Sequence, residues 1–387
     1  MPVHNRIAAF KDDLTAWRRH LHQHPELMFE THKTSAFVAE KLRAFGCDEV
    51  VEGVGRTGVI GVIHGQGPGD VIGLRADMDA LPIQEVRDLP YKSQIDGVMH
   101  ACGHDGHTTM LLGAARYLAE TRKFSGKVVV IFQPAEEGGG GAKVMCDEGL
   151  MDRFGISHVY AIHNWPGLTP GRIEFRPGPT MAAADRFFIE VKGKGGHAAF
   201  PQDCIDPLLI GAQIVTAAQN LVAREVDPRD SAVVSICTFH CGTTGNVIAD
   251  TASLEGTVRT LKPETRDLLE RRLGEVVEGI AKAAGGAAEF EYLRGYPTTI
   301  STPENVAFAA SVARELVGDD LVRADRQPEM GSEDFSYMLE ERPGAYIYLG
   351  QGDTAGLHNP EYDFNDEVSP VGASLFAALV ERAQPLS

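Results

Sequence analysis

Val128-Val129-Val130-Ile131-Phe132-Gln133-Pro134-Ala135-Glu136-Glu137 runs from five apolar residues straight into a polar tail. A continuous apolar run of this length, bounded by turn residues, is what a strand buried on both faces requires. The same layout recurs at residues 58–63, 71–74, 159–162 and 345–349. Helical patterns lie among these runs, at residues 110–120 and 142–148. Two more precede them: residues 12–24, with Leu14, Trp17, Arg18 and Leu21 at helical spacing before Pro25, and residues 34–45, ending at Gly46. Short buried runs alternating with helices predict an α/β fold, a mostly parallel sheet covered by helices.

The middle of the chain has a different rhythm. Residues 186–194 alternate, with Phe187, Ile189 and Val191 on one side. A helix at 206–224, strands at 232–239 and 251–260, a helix at 264–284 and a strand at 287–293 complete a β-α-β-β-α-β order. That order is the split pattern of a ferredoxin-like domain. The α/β pattern resumes after Gly295-Tyr296-Pro297. A chain of 387 residues exceeds the usual size of one core. The expectation is therefore a catalytic domain of residues 1–183 and 296–387, with residues 184–295 inserted as a satellite domain.

Composition narrows the function. A formal net charge of -18 would repel a phosphate backbone, which argues against nucleic acid as a partner. No stretch approaches the roughly 18 apolar residues of a membrane span, and residues 1–11 lack a signal-peptide layout. A cytoplasmic protein is expected. The six cysteines, at 47, 102, 146, 204, 237 and 241, are scattered and read as free thiols.

The chemistry gathers where the apolar runs end. Residues 71–74 lead to Asp77 and Asp79, residues 128–132 to Glu136 and Glu137, residues 159–162 to His163, and residues 345–349 through a loop to His358. In open α/β sheets, ligands collect beyond the carboxyl ends of the strands. To these the stretch Cys102-Gly103-His104-Asp105-Gly106-His107 adds thiolate and imidazole donors, a combination suited to zinc and its neighbours. Cys102, His104, Glu136, Glu137, His163 and His358 together supply ligands for two metals plus one free carboxylate. Asp105 and His107 are positioned to orient ligands. Asp77 and Asp79 are either ligands or hydrogen-bond partners of a ligating imidazole. His20, His22 and His24 belong to helix packing and the helix end. Adjacency does not decide which of Glu136 and Glu137 is the ligand.

Three motifs, Met99-His100-Ala101-Cys102-Gly103-His104-Asp105-Gly106-His107, Gln133-Pro134-Ala135-Glu136-Glu137 and Gly195-Gly196-His197-Ala198-Ala199, resemble the aminoacylase-like dinuclear metallohydrolases. The stretches 19–27, 74–82 and 331–335 extend the likeness. It is closest to the amidohydrolase branch that holds hippurate hydrolases, N-acyl-amino-acid deacylases and plant auxin-conjugate hydrolases. The resemblance implies two divalent ions, zinc, manganese, nickel or cobalt, held by Cys102, His104, Glu137, His163 and His358. It implies Glu136 as general base, His197 as oxyanion donor, and Asn246 and Arg259 as holders of the substrate carboxylate. The implied substrate is a small N-acyl amino acid. The implied assembly is a homodimer formed through the inserted domain, with His197 completing the partner's site. Met181, Phe200 and Leu357 are acyl-pocket candidates by their nearness to motifs. A dipeptidase or aminopeptidase of the same fold, a cysteine hydrolase built on Cys102, and a non-catalytic binding protein are the alternatives.

Overall fold

The computed structural model describes residues 3–386 and divides into two compact units. The first comprises the chain up to Gly178, Ile300–Gln327, and the stretch from Asp334 onward. The second comprises Pro179–Thr299 with Pro328–Glu333.

The first unit is built on an eight-stranded sheet. Its centre is four neighbouring strands, Lys127–Gln133, Val71–Asp77, His158–Pro166 and Gly344–Gly352, each parallel to the next. These are the apolar runs of the sequence, and their residues are buried almost throughout. The flanks differ. Gly58–His64 pairs antiparallel with Lys127–Gln133, and Glu49–Val54 extends that edge antiparallel. On the other side Ile173–Glu174 runs antiparallel to Gly344–Gly352 and carries Val322–Arg323 in parallel. The sheet is therefore mixed at its edges and parallel where the predicted donors sit.

Helices cover this sheet. Lys11–Gln23 buries Leu14, Arg18, Leu21 and His22; His32–Phe45 ends at Gly46 in the left-handed conformation. His104–Thr121 lies at the centre of the core, with Leu111, Leu112, Ala114 and Leu118 fully enclosed. Two long helices that periodicity did not reveal, Pro303–Val317 and Ser369–Ala383, complete the cover.

The second unit carries a four-stranded antiparallel sheet in the order Ala232–Cys241, Thr251–Thr260, Ala183–Lys192, Ala287–Arg294. The connections between them run through Pro207–Arg224 and Pro263–Ala283. This is the ferredoxin-like arrangement predicted from the β-α-β-β-α-β order. Phe187, Ile189 and Val191 pack with Ile214, Leu221, Leu269 and Leu273 into a separate core. Asp206 caps the first helix by accepting the Leu208 N–H.

Candidate metal centre

The carboxyl ends of the parallel strands bring the predicted donors of the first unit together. Cys102, His104 and His163 offer ligand atoms within 4.8 Å of one another. So do Cys102, Glu137 and His358, and so do His104, Glu136 and Glu137. Cys102 Sγ lies 3.5 Å from His163 Nε2, and His358 Nε2 lies 3.2 Å from Glu137 Oε1.

Backbone geometry aims these side chains. Gly103 has φ 96° as the chain turns into the helix at His104, and a Cβ there would lie 2.2 Å from Asn164 Oδ1. Gly141 permits the tight turn after Glu136 and Glu137, since a Cβ would fall 1.7 Å from the Pro134 carbonyl oxygen. Ala135 and His358 sit at φ 55° and 62°, a conformation that costs a side-chain-bearing residue free energy and is concentrated at functional positions. Asp79 holds the turn: its two carboxylate oxygens accept the N–H groups of Glu136 and Glu137, at 2.9 and 3.1 Å.

The imidazoles are set as ligands. His104 donates from Nδ1 to the Asp79 carbonyl at 2.8 Å, and His163 donates from Nδ1 to the Asn164 carbonyl at 2.7 Å. Each ring therefore aims Nε2 into the centre, where a metal ion in place of a proton would take its lone pair. His104 Nε2 and Glu137 Oε1 are buried without a hydrogen-bond partner. Buried polar atoms are rarely left so, and a cation between them would satisfy both. His107 is different, for both its nitrogens are taken, Nδ1 by Asp77 at 2.6 Å and Nε2 by Asn164. Asp77 in turn accepts from the buried Arg75 at 2.8 Å. Asp77 and His107 thus brace the donors.

The electrostatics call for a cation. Burial, then Glu137, Glu136 and Asp77, push the Cys102 thiol well above its usual range. A thiolate there needs positive charge beside it. Burial opposes a charge on His104, yet Asp77, Asp79 and Glu137 outweigh it and hold the ring at about 10. Burial and the neighbouring His107 keep His163 well below the usual imidazole range. The donor set of one thiolate, three imidazoles and a carboxylate fits borderline-soft divalent ions.

Three predicted residues lie in the second unit. His197 pairs with Val247 in a short ladder, next to Asn246, whose carbonyl accepts the Ala198 N–H. The Ala199 N–H donates to His197 Nδ1 at 3.0 Å, which leaves the ring proton on Nε2. Arg259 is half-buried near the end of Thr251–Thr260 and donates to Thr257 Oγ1. Burial lowers its guanidinium, and it has no carboxylate partner among the described residues. Eight residues of strand separate Arg259 from Thr251, about 26 Å, so the unit itself keeps His197 with Asn246 and apart from Arg259. Of the acyl-pocket candidates, Met181 is buried and Phe200 exposed in this unit, while Leu357 packs against the core of the first.

The family model for Peptidase family M20/M25/M40 matches residues 73–382, which include every donor of the centre. The chain belongs to this family. Among M20 relatives, it is 43% identical to a hippurate hydrolase of Campylobacter jejuni, over 94% of each chain. It is 40% identical to an N-acetylcysteine deacetylase of Bacillus subtilis, over 96% of this chain and 97% of that one. A Bacillus subtilis crystal structure, described as a dinuclear metal binding peptidase from the M20 family, superposes with a TM-score of 0.86. It shares 37% identity and covers 97% of this chain and 99% of that one.

Proposed function

We propose that this M20 enzyme hydrolyses the amide bond of N-acyl amino acids, releasing a carboxylic acid and a free amino acid. The observation that carries the reading is the convergence of the ligand atoms of Cys102, His104, Glu137, His163 and His358, with His104 Nε2 buried and without a hydrogen-bond partner. The hippurate hydrolase and N-acetylcysteine deacetylase relatives supply the substrate class.

Those five residues would hold two divalent ions. When bound, the ions would polarise the amide carbonyl and make a water acidic enough to surrender a proton. Glu136 stands beside the ligand Glu137 with its backbone N–H pinned by Asp79. Its carboxylate takes the proton from the attacking water and passes it to the departing nitrogen. His197 donates Nε2–H to the oxyanion, a role its hydrogen bond from Ala199 prepares. Arg259, lacking an internal carboxylate, pairs with the carboxylate of the substrate's amino-acid part, and Asn246, which the unit holds beside His197 and away from Arg259, assists from a second copy of the chain.

Peptide hydrolysis is the second reading, favoured by the description of the solved relative as a peptidase; both reactions break the same bond type. A Cys102 nucleophile runs against the surroundings of the thiol, which disfavour its ionisation without a cation. The free cysteines suit a reducing compartment, and no helix among the described residues is long and apolar enough to cross a membrane.

Turnover of N-benzoylglycine against its amide tests the substrate reading. The acid form should be hydrolysed and the amide form poorly, through a raised Michaelis constant or reduced kcat. Equal efficiency on both would reject the role of Arg259 and Asn246, and hydrolysis of dipeptides alone would select the second reading.

A further inference from the structure

The parallel strands of the first unit have a second end, away from the metal donors, and it too is hollow. A cavity of about 320 Å³ opens where Val71–Asp77 and His158–Pro166 begin, beside the first turns of Pro303–Val317. His158 precedes His163 by five strand residues, placing the cavity about 17 Å from the metal centre. The volume is that of a small-molecule site.

Asn305 organises its donors. The side-chain amide donates to His158 Nδ1 at 3.1 Å and to Tyr160 Oη at 2.9 Å. With Nδ1 accepting, the His158 ring carries its proton on Nε2, which has no partner among the described residues. With Oη accepting, the Tyr160 hydroxyl hydrogen remains to be given. Burial raises that phenol to about 12, so it stays protonated. Arg382 adds a guanidinium on the same wall, held at one nitrogen by Glu315.

Acceptors stand opposite in kind. Asp70 and Glu304 both line the cavity, and neither has an ion-pair partner among the described residues. Gln384, 4% exposed, braces this wall by donating to the Asp70 carbonyl. Ile72 and Phe308 supply apolar surface between these groups, and Phe308 tilts against Tyr160 at 6.4 Å. A lone anion would meet two unpaired carboxylates, and a lone cation would waste three donors. A ligand with both charges and an apolar body meets all of them.

We propose that this cavity is a second binding site, separate from the metal centre, for a free α-amino acid with an apolar side chain. The carboxylate is received by Tyr160, His158 and Arg382, the ammonium by Glu304 and Asp70, and the side chain by Phe308 and Ile72. The site does not depend on the proposed activity, because it shares no residue with it.

Equilibrium dialysis of the metal-loaded enzyme with labelled L-phenylalanine tests the site directly. Phe308→Trp fills the cavity, and Glu304→Gln removes one charge from an exposed position where folding is not at stake. Wild type should bind one more phenylalanine per chain than Phe308→Trp, with hydrolysis of N-benzoylglycine unchanged between them. Glu304→Gln should weaken that binding at least about tenfold, the scale of one charged hydrogen bond. Phenethylamine and 3-phenylpropanoate, each with one charge, should bind weaker by a similar factor. Equal binding by wild type and Phe308→Trp, no binding by either, an unaffected Glu304→Gln, or a single-charge analogue binding as tightly as phenylalanine would overturn the proposal.

Discussion

Two neighbouring glutamates do different work because their surroundings differ. Glu137 Oε1 faces His104 Nε2 at 3.9 Å and His358 Nε2 at 3.2 Å, inside the ring of donors. Glu136 follows the strained Ala135 and is aimed by the Asp79 contact to its own N–H. On this account Glu136→Gln keeps its metal and loses turnover by at least about 10²–10⁴-fold, the usual share of a general base. Glu137→Gln, having lost a charged ligand, loads metal poorly. Elemental analysis beside kcat for both variants checks the assignment, and the opposite pattern reverses it. At this scale the sequence was most legible. Thiolate, imidazole and carboxylate donors announce themselves by type, and the apolar runs before them say where they end up. The braces were harder to see. Asn164 engages His107 from both its backbone and its side chain. Nothing about an asparagine after a histidine marks it for that, because the pairing is set by the register of two distant elements.

Among the elements, the helix Lys11–Gln23 is tied to the donor helix His104–Thr121 through buried charge. His22 Nδ1 contacts Asp105 Oδ2 at 2.8 Å, its Nε2 lies 3.4 Å from Glu85, and Arg18, fully buried, reaches Asp105, Asp363 and Asp366. Sequence places this histidine in helix packing, but its ionic partners lie 63 and 83 residues away and leave no local signal. Burial disfavours the His22 imidazolium, yet the hydrogen bonds to Asp105 and Glu85 prevail and raise it to about 9. A folded pKa above the unfolded value of about 6.5 means stability fully present below that value and lost as pH rises through about 9. Denaturant midpoints should therefore fall between pH 6.5 and 9 in wild type, and His22→Gln should flatten this limb; an unchanged limb in the variant would assign it elsewhere. Helix Ser369–Ala383 is silent in the sequence for another reason. Residues 369–380 are all buried, so no polar face gives the segment a helical period. The strand Glu49–Val54 is equally silent, because an edge strand with exposed glutamates has no apolar run to show.

For the whole molecule, the ferredoxin-like unit was legible because its strands alternate cleanly and its two helices are long and amphipathic. Its role is a proposal. The strand Ala232–Cys241 ends one side of its sheet, and an open edge invites a second copy. We propose a homodimer in which His197 of each chain serves the metal centre of the other. Mixing His197→Ala with Glu136→Ala would then build one intact site per heterodimer, and activity should partly return on subunit exchange. Heterodimers confirmed by native mass measurement but silent in turnover would confine His197 to its own chain.

The central claim is that hydrolysis depends on metal held by Cys102, His104, Glu137, His163 and His358, and one paired measurement reaches it most directly. Metal content by elemental analysis and turnover of N-benzoylglycine are followed in the same samples through chelation and re-addition. The account predicts that turnover falls with metal content, vanishes in metal-free protein and returns as up to two divalent ions per chain are restored. Full turnover in protein shown to be metal-free would contradict it.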